Sequence, residues 1–141
     1  MNTLNFPDSN VWIALLWDRH LHSERARKWF EAAGEEQFFF CRFTQITVLR
    51  LLTTESVMGG DTKTMSGAWK VWDRVLADTR ISLLAEPHDI EEEFRSHSRL
   101  SSQSPKMWAD AYLLAFAVAA GLKFVTFDRA LRGKVAELVV L

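Results

Sequence analysis

The chain has 141 residues, 48% of them hydrophobic, which suits one domain with a buried core rather than several. Its formal net charge of -1 and pI of about 6.4 exclude a protein coated in positive charge for indiscriminate nucleic-acid binding, so any phosphate recognition must be local. The single cysteine, Cys41, excludes a disulfide framework or a cysteine zinc site within one chain, and a reducing, cytoplasmic setting is the simplest fit.

Residues 3–6 read as a short strand, and Asp8-Ser9-Asn10 then offers three capping residues for an apolar helix over 11–17. A helix over 23–33 follows, with Ser23 as N-cap, Ala26, Trp29 and Phe30 at helical spacing, and Gly34 as its stop. Residues 37–43 read as a buried strand and 44–52 as a helix, while 53–61, containing Gly59-Gly60, reads as a loop. The helix over 64–77 is amphipathic, with Trp69, Trp72, Val75 and Leu76 as its buried stripe.

Residues 81–84 form a short strand, Pro87 breaks the chain, and 89–97 makes an acidic, largely solvated helix. The serine-rich stretch 98–105 is the most loop-like segment. A central helix over 106–120 is closed by Gly121, a strand over 123–126 follows at once, and a short helix near Arg129 and a strand over 138–141 finish the chain. Strands alternating with helices imply a parallel sheet covered on both faces, an α/β sandwich. The longest apolar stretch, 111–122, falls short of the roughly 20 residues that span a bilayer, and nothing near the N-terminus reads as a signal peptide, so no membrane association is expected.

Three acids stand where these elements begin or end. Asp8 and Asp128 directly follow predicted strands, which puts both at the carboxyl edge of the sheet, where open α/β folds bind their ligands. Asp110 lies in the first turn of the central helix, and the strand after that helix returns Asp128 to the same level. Two carboxylates about 4 Å apart repel by roughly 4 kcal/mol at an effective dielectric of 20, so such a cluster implies a bound cation or raised pKa values. With oxygen ligands only, the cation should be hard, Mg²⁺ or Mn²⁺. Each acid also has a purely structural reading: Asp8 and Asp128 as helix caps, and Asp110 as a complement to the helix dipole.

Asp8-Ser9-Asn10 after an N-terminal strand, Ala109-Asp110-Ala111 opening a late apolar helix and Thr126-Phe127-Asp128 after the next strand resemble the PIN domain. The length and the segment with Trp17, His20, His22, Trp29 and Phe30 resemble, more closely, the VapC toxins of type II toxin-antitoxin systems. The resemblance implies a three-layer α/β/α sandwich with a mainly parallel central sheet, and a Mg²⁺-dependent endoribonuclease acting on structured RNA such as tRNA. It further implies a small VapB antitoxin as partner and a homodimeric toxin. Asp8 and Asp110 would be the main metal ligands, with Asp128 completing the site or holding a water, and Asn10 and Thr126 match polar positions that often line it.

One position departs from the family pattern. Where a glutamate is usual in the helix after the second strand, the register places Arg50. A guanidinium cannot ligate a metal, but it can hold a carboxylate or the scissile phosphate bidentately; pairing with a structural acid is the other reading. One fewer carboxylate favours a single Mg²⁺ site over a two-metal site.

His20 and His22, two apart before a helix cap, suit a structural or RNA-edge role better than catalysis. The six tryptophans could stack on unpaired bases, but Trp12, Trp29, Trp69 and Trp72 fall on apolar faces that suit packing. Arg42, Lys106, Arg129, Arg132 and Lys134 fall near the acidic edge and suit RNA phosphates or dispersed surface charge. Two rival functions stand beside the nuclease. A phosphatase with an aspartate nucleophile would want a second Asp where Asn10 stands, and a PIN-like module that binds RNA or antitoxin without cutting is motivated by Arg50.

Overall fold

A computed structural model describes residues 3–141. Its centre is a five-stranded sheet in the order β3-β2-β1-β4-β5, with every pairing parallel. The strands are β1 (Leu4–Pro7), β2 (Gln37–Phe40), β3 (Ile81–Leu83), β4 (Lys123–Thr126) and β5 (Leu138–Val140). From β1 the chain moves outward to β2 and β3, then crosses to β4 and β5 on the other side. The two wings therefore diverge between β1 and β4, a switch point of the kind that opens a crevice at the carboxyl edge.

β1 is buried on both sides, as the central strand of a parallel sheet should be, with Asn5 and Phe6 fully enclosed. Pro7 is tolerated there because it is the last residue of the strand, and the ladder continues through the Asp8 amide, which donates to the Val125 carbonyl at 2.7 Å. The alternation of side chains along the strands divides the core in two. On one face, Phe38 and Phe40 of β2 pack with Trp12 and Ile13 of α1 (Ser9–Leu16), Val48 and Leu52 of α3 (Arg42–Leu52), and Ala68 and Trp72 of α5 (Met65–Leu76). On the same side Trp29 and Phe30 of α2 (Ser23–Ala32) meet Phe38 at 5.4 and 4.6 Å between ring centroids.

On the opposite face, Phe6 stacks on Phe116 of α7 (Met107–Ala120) with centroids 4.8 Å apart, beside Phe124 and Ile90 of α6 (Ile90–Ser98). Helix α7 stops where expected: Gly121 adopts φ of 69°, a left-handed cap that L side chains disfavour. The result is the three-layer α/β/α sandwich implied by the sequence, and no helix among the described residues is long and apolar enough to cross a membrane.

Four local expectations need correction, one being that Ser23 is the first residue of α2, behind His22, and not its side-chain N-cap. The stretch 53–61 is not an open loop, because it contains a short helix α4 (Glu55–Met58) and a 3₁₀ turn at Gly59–Asp61, anchored by Met58 in the core. Strand β2 ends at Phe40, and the helix after it begins at Arg42, two residues earlier than expected. On α5 the buried positions are Ala68 and Trp72, one turn apart, so Trp69, about 100° further round, is 47% exposed, and Leu76 is also exposed.

Candidate active site

The strand-to-helix turn after β1 sets the first acid. Asp8 caps α1 in extended backbone, and its Oδ1 accepts from the Ser9 amide at 2.8 Å, which satisfies one of the helix's orphan N–H groups. Its other oxygen, Oδ2, accepts from the Thr126 hydroxyl at 2.8 Å. Thr126 ends β4, the strand paired with β1 across the switch point, and is fully buried. Having given its proton to Asp8, the hydroxyl accepts from the Asp128 amide at 3.1 Å and the Asn10 side-chain amide at 3.4 Å, while Asn10 Oδ1 accepts from the Phe127 amide. One threonine thus uses its donor and both acceptor positions to tie together Asp8, Asn10 and the turn that carries Asp128.

Asp128 repeats the capping geometry at the end of β4, accepting from the Ala130 amide at 3.0 Å. Asp110 projects from the first turn of α7, with no side-chain hydrogen bond among the described residues. The negative charges of the three acids act on one another. Burial pushes the Asp110 carboxyl above the usual range, and Asp8 and Asp128 raise it further. Asp8 is also raised, mainly by burial and least by Asp128, against the lowering effect of its Thr126 and Ser9 bonds. Among the described residues no lysine or arginine forms an ion pair with any of the three.

Such a site fits a divalent cation by its chemistry. The donors are carboxylate oxygens, Asp8 keeps lone pairs beyond its two strong bonds, and the mutual repulsion lacks a protein counter-charge. No three His, Cys, Asp or Glu side chains among the described residues form a ready-made ion cage. Mg²⁺ does not require one, because it is typically held by one or two carboxylates, with waters and substrate phosphates completing its shell.

Asn10 and Thr126, expected near the acids, are there; Arg50 is not brought to them by any contact. It stands in the last turn of α3, exposed, with no side-chain hydrogen bond or ion pair among the described residues. The reason is the helix phase: Thr44, Gln45, Val48 and Leu52 form the buried face, and Arg50 lies about 200° from both Val48 and Leu52. The buried polar residues of α3 are instead Thr44 and Gln45, in the first turn, and Gln45 accepts from Arg42. The available signal for Gln45 was its spacing, three residues before Val48, seven before Leu52 and four after Cys41, which puts it on the apolar face.

The histidines take a structural place at the rim. The His22 ring stacks on Phe127 with centroids 4.5 Å apart, and its amide donates to Nδ1 of His20 at 3.0 Å. Burial, and then the neighbouring His22, push His20 below its ordinary value. The pair buttresses the turn carrying Asp128.

Because the Thr126 hydroxyl serves three partners, Thr126→Val is expected to destabilise the chain by about 1–3 kcal/mol, leaving Asp8 and the Asp128 amide short of a partner in a dry setting. Urea unfolding should show the loss, with Thr126→Ser recovering most of it.

An all-parallel α/β domain with an acidic, oxygen-only cluster at its switch point is the class of protein defined by these features. A family model for the PIN domain matches residues 6–136. The chain is 39% identical over 128 residues to Ribonuclease VapC41 of Mycobacterium tuberculosis, covering 87% of this chain and 88% of that one. It is 33% identical over 137 residues to Ribonuclease VapC44 of the same organism, with 88% and 85% covered. Among solved structures, M. tuberculosis VapC20, a Sarcin-Ricin loop cleaving toxin, superposes with a TM-score of 0.65 at 14% identity over 97% of this chain and 98% of that one. VapBC2 from Rickettsia felis, bound to a DNA fragment from its promoter, does so with a TM-score of 0.68 at 10% identity over 99% and 98%. The chain belongs to the PIN-domain family and is a VapC-type member of it.

Proposed function

We propose that this chain is the endoribonuclease toxin of a VapBC-type toxin-antitoxin system, cutting structured, tRNA-like RNA with Mg²⁺ held by Asp8, Asp110 and Asp128. The observation that carries the reading is Asp8, buried at the switch point of a PIN-family sheet and held by Ser9 and Thr126, with the Asp110 carboxyl raised by burial and then by the charges of Asp8 and Asp128. Relatives sharing 39% and 33% of their residues and nearly the whole length are named ribonucleases, which supports RNA as the substrate class. A small VapB-type antitoxin is the natural partner, and a homodimer the expected assembly.

Asp8 is the fixed element of the site, held from both sides by Ser9 and Thr126, so its carboxylate is preorganised rather than recruited. Asp110 is the adjustable one, without side-chain hydrogen bonds among the described residues and raised first by burial and then by its acidic neighbours, so its ionised form is the one that holding a cation would require. Asp128 adds negative charge from the β4 turn. The chemistry a divalent ion supplies there is Lewis-acid polarisation of a phosphodiester and a nucleophile available at neutral pH. Arg42, Lys106, Arg129, Arg132 and Lys134 are all exposed, Lys106 four residues before Asp110 and Arg129 next to Asp128 in the chain, and on this reading they offset the repulsion between the acids and an RNA backbone.

The rivals lose their motive. Asn10, which would have to be the second aspartate of a phosphatase, is engaged in holding Thr126 and the Phe127 amide. Arg50, the reason for considering a module that binds without cutting, has no contact with the acids. The test is incubation of the purified protein with structured RNA in Mg²⁺, in EDTA, and after Mg²⁺ is restored. Cleavage should appear, vanish and return; cleavage that persists in EDTA would refute the metal site.

A further inference from the structure

Helices α3, α6 and α7 border an open apolar groove of roughly 450 Å³, lined by Phe43, Phe94, Pro105, Trp108, Ala109 and Tyr112. Its walls are aromatic: Phe94 meets Trp108 at 6.1 Å and Tyr112 at 6.0 Å, both edge-on, and Phe43 tilts against Tyr112 at 5.6 Å. The Tyr112 hydroxyl is occupied by Glu86, so the groove offers faces rather than polar groups. Trp108 is 61% exposed and Phe43 41% exposed. Isolated exposed rings are common, but adjoining exposed rings in one concavity mark a binding surface.

The position of the groove identifies its occupant. Ala109 lines it, and the next residue is Asp110; Phe43 opens the helix that leaves β2, the strand beside β1. The groove is therefore built in part on the helix turn that carries Asp110. Two exposed cations adjoin lining residues in the chain, Arg42 before Phe43 and Lys106 after Pro105; neither forms an ion pair among the described residues, and Arg42 donates only to the neutral Gln45. Flat π faces flanked by unpaired cations are the combination that binds single-stranded nucleic acid: bases stack and phosphates meet the charges.

On the reading of this chain as a ribonuclease, we propose that this groove seats an unpaired nucleobase next to the phosphodiester held at the acids, with Trp108 as the stacking face and Arg42 and Lys106 on the adjoining phosphates. The enzyme then selects RNA in which a base can swing out of its stack, and a fully paired duplex is a poor ligand. Trp108 is on the surface, so its replacement leaves the core intact.

The test uses Asp110→Asn to prevent cleavage and a fluorescein-labelled 12-nucleotide oligoribonucleotide of mixed sequence, alone and annealed to its complement. Adding Trp108→Ala should weaken binding to the single strand by about tenfold, the loss of one base stack, with Trp108→Phe in between and the duplex affinity unchanged. In the otherwise native chain, Trp108→Ala should slow single-turnover cleavage of RNA by a similar factor at an unchanged melting temperature. Equal affinity and equal cleavage in Trp108→Ala would overturn the groove and leave the ribonuclease reading standing. A parallel loss on duplex and single strand would also overturn it. If Trp108→Ala instead converts a dimer to a monomer in sedimentation without altering RNA binding, the groove is a contact between copies and the proposal fails. A native chain that neither binds nor cleaves RNA would overturn both readings.

Discussion

Asp110→Asn is expected to reduce RNA cleavage by at least about 10²–10³-fold while making the folded chain more stable at neutral pH. The loss follows from removing one of the charges that gather at the switch point. The gain follows from the same charges. The Asp110 carboxyl is raised above its usual value, first by burial and then by Asp8 and Asp128. Between the ordinary carboxylate range and that raised value the folded state binds more protons than the unfolded state, so stability falls as pH rises through this window and stays lower above it. Asparagine has no charge to repel.

Asp110 is only half-buried and screened by solvent, so the benefit is about 1 kcal/mol or less, a rise of up to about 2–4 °C in melting temperature at pH 7. Below the ordinary carboxylate range both chains should melt alike, because the native acid is then protonated in both states. Mg²⁺ should raise the melting temperature of the native chain more than that of the variant, because a ligand stabilises only the state that binds it. Melts at pH 7 and at acid pH, with and without Mg²⁺, check all of this. An Asp110→Asn variant less stable than the native chain at pH 7 would contradict the electrostatic account.

Trp72→Ala should cost about 3–5 kcal/mol, a large share of the 5–15 kcal/mol that holds a typical domain together. Trp72 is fully buried, edge-on to Phe40 at 4.8 Å and tilted to Trp12 at 6.2 Å, so it joins α5 to both β2 and α1. Truncation leaves a cavity between three elements that are already fixed to the sheet and cannot close it. Trp72→Phe should be much milder, because it keeps a ring and removes an indole N–H that has no acceptor in the described chain. Urea midpoints should rank the native chain first, then Trp72→Phe, then Trp72→Ala. Comparable losses for the two variants would mean that the indole is held by something other than packing.

Much of the site is local in origin, and that part was readable from residues alone. Asp8 and Asp128 each follow an apolar strand and each cap the turn that comes next, and Asp110 opens an apolar helix closed by a glycine. Capping is a matter of neighbours along the chain, so spacing suffices to place these groups at one sheet edge. The role of Thr126 was only half legible: a polar residue near the site was expected, but its service to three partners needs β4 to lie against β1, a pairing between residues over a hundred positions apart.

The displaced positions of Trp69 and Arg50 share one cause, which is that the phase of a helix against its neighbours is a tertiary quantity. Trp69 and Trp72 have the same hydrophobic drive, yet the small Ala68 lets α5 approach the sheet along the face that buries only Trp72. Arg50, expected to hold a site acid, the phosphate or a structural acid, is turned outward because α3 packs through Thr44, Gln45, Val48 and Leu52. The groove beside the acids had no sequence signature, because Phe43, Phe94 and Trp108 come from three separate helices and become one surface only when those helices pack. Alternating apolar segments, caps and glycine stops were sufficient to dictate a parallel α/β domain with acids at its carboxyl edge, since each is a short-range preference written residue by residue. Strand order, the inward faces of α3 and α5 and the aromatic groove were settled by long-range packing, where the free energy depends on which surfaces meet and no single segment carries that information.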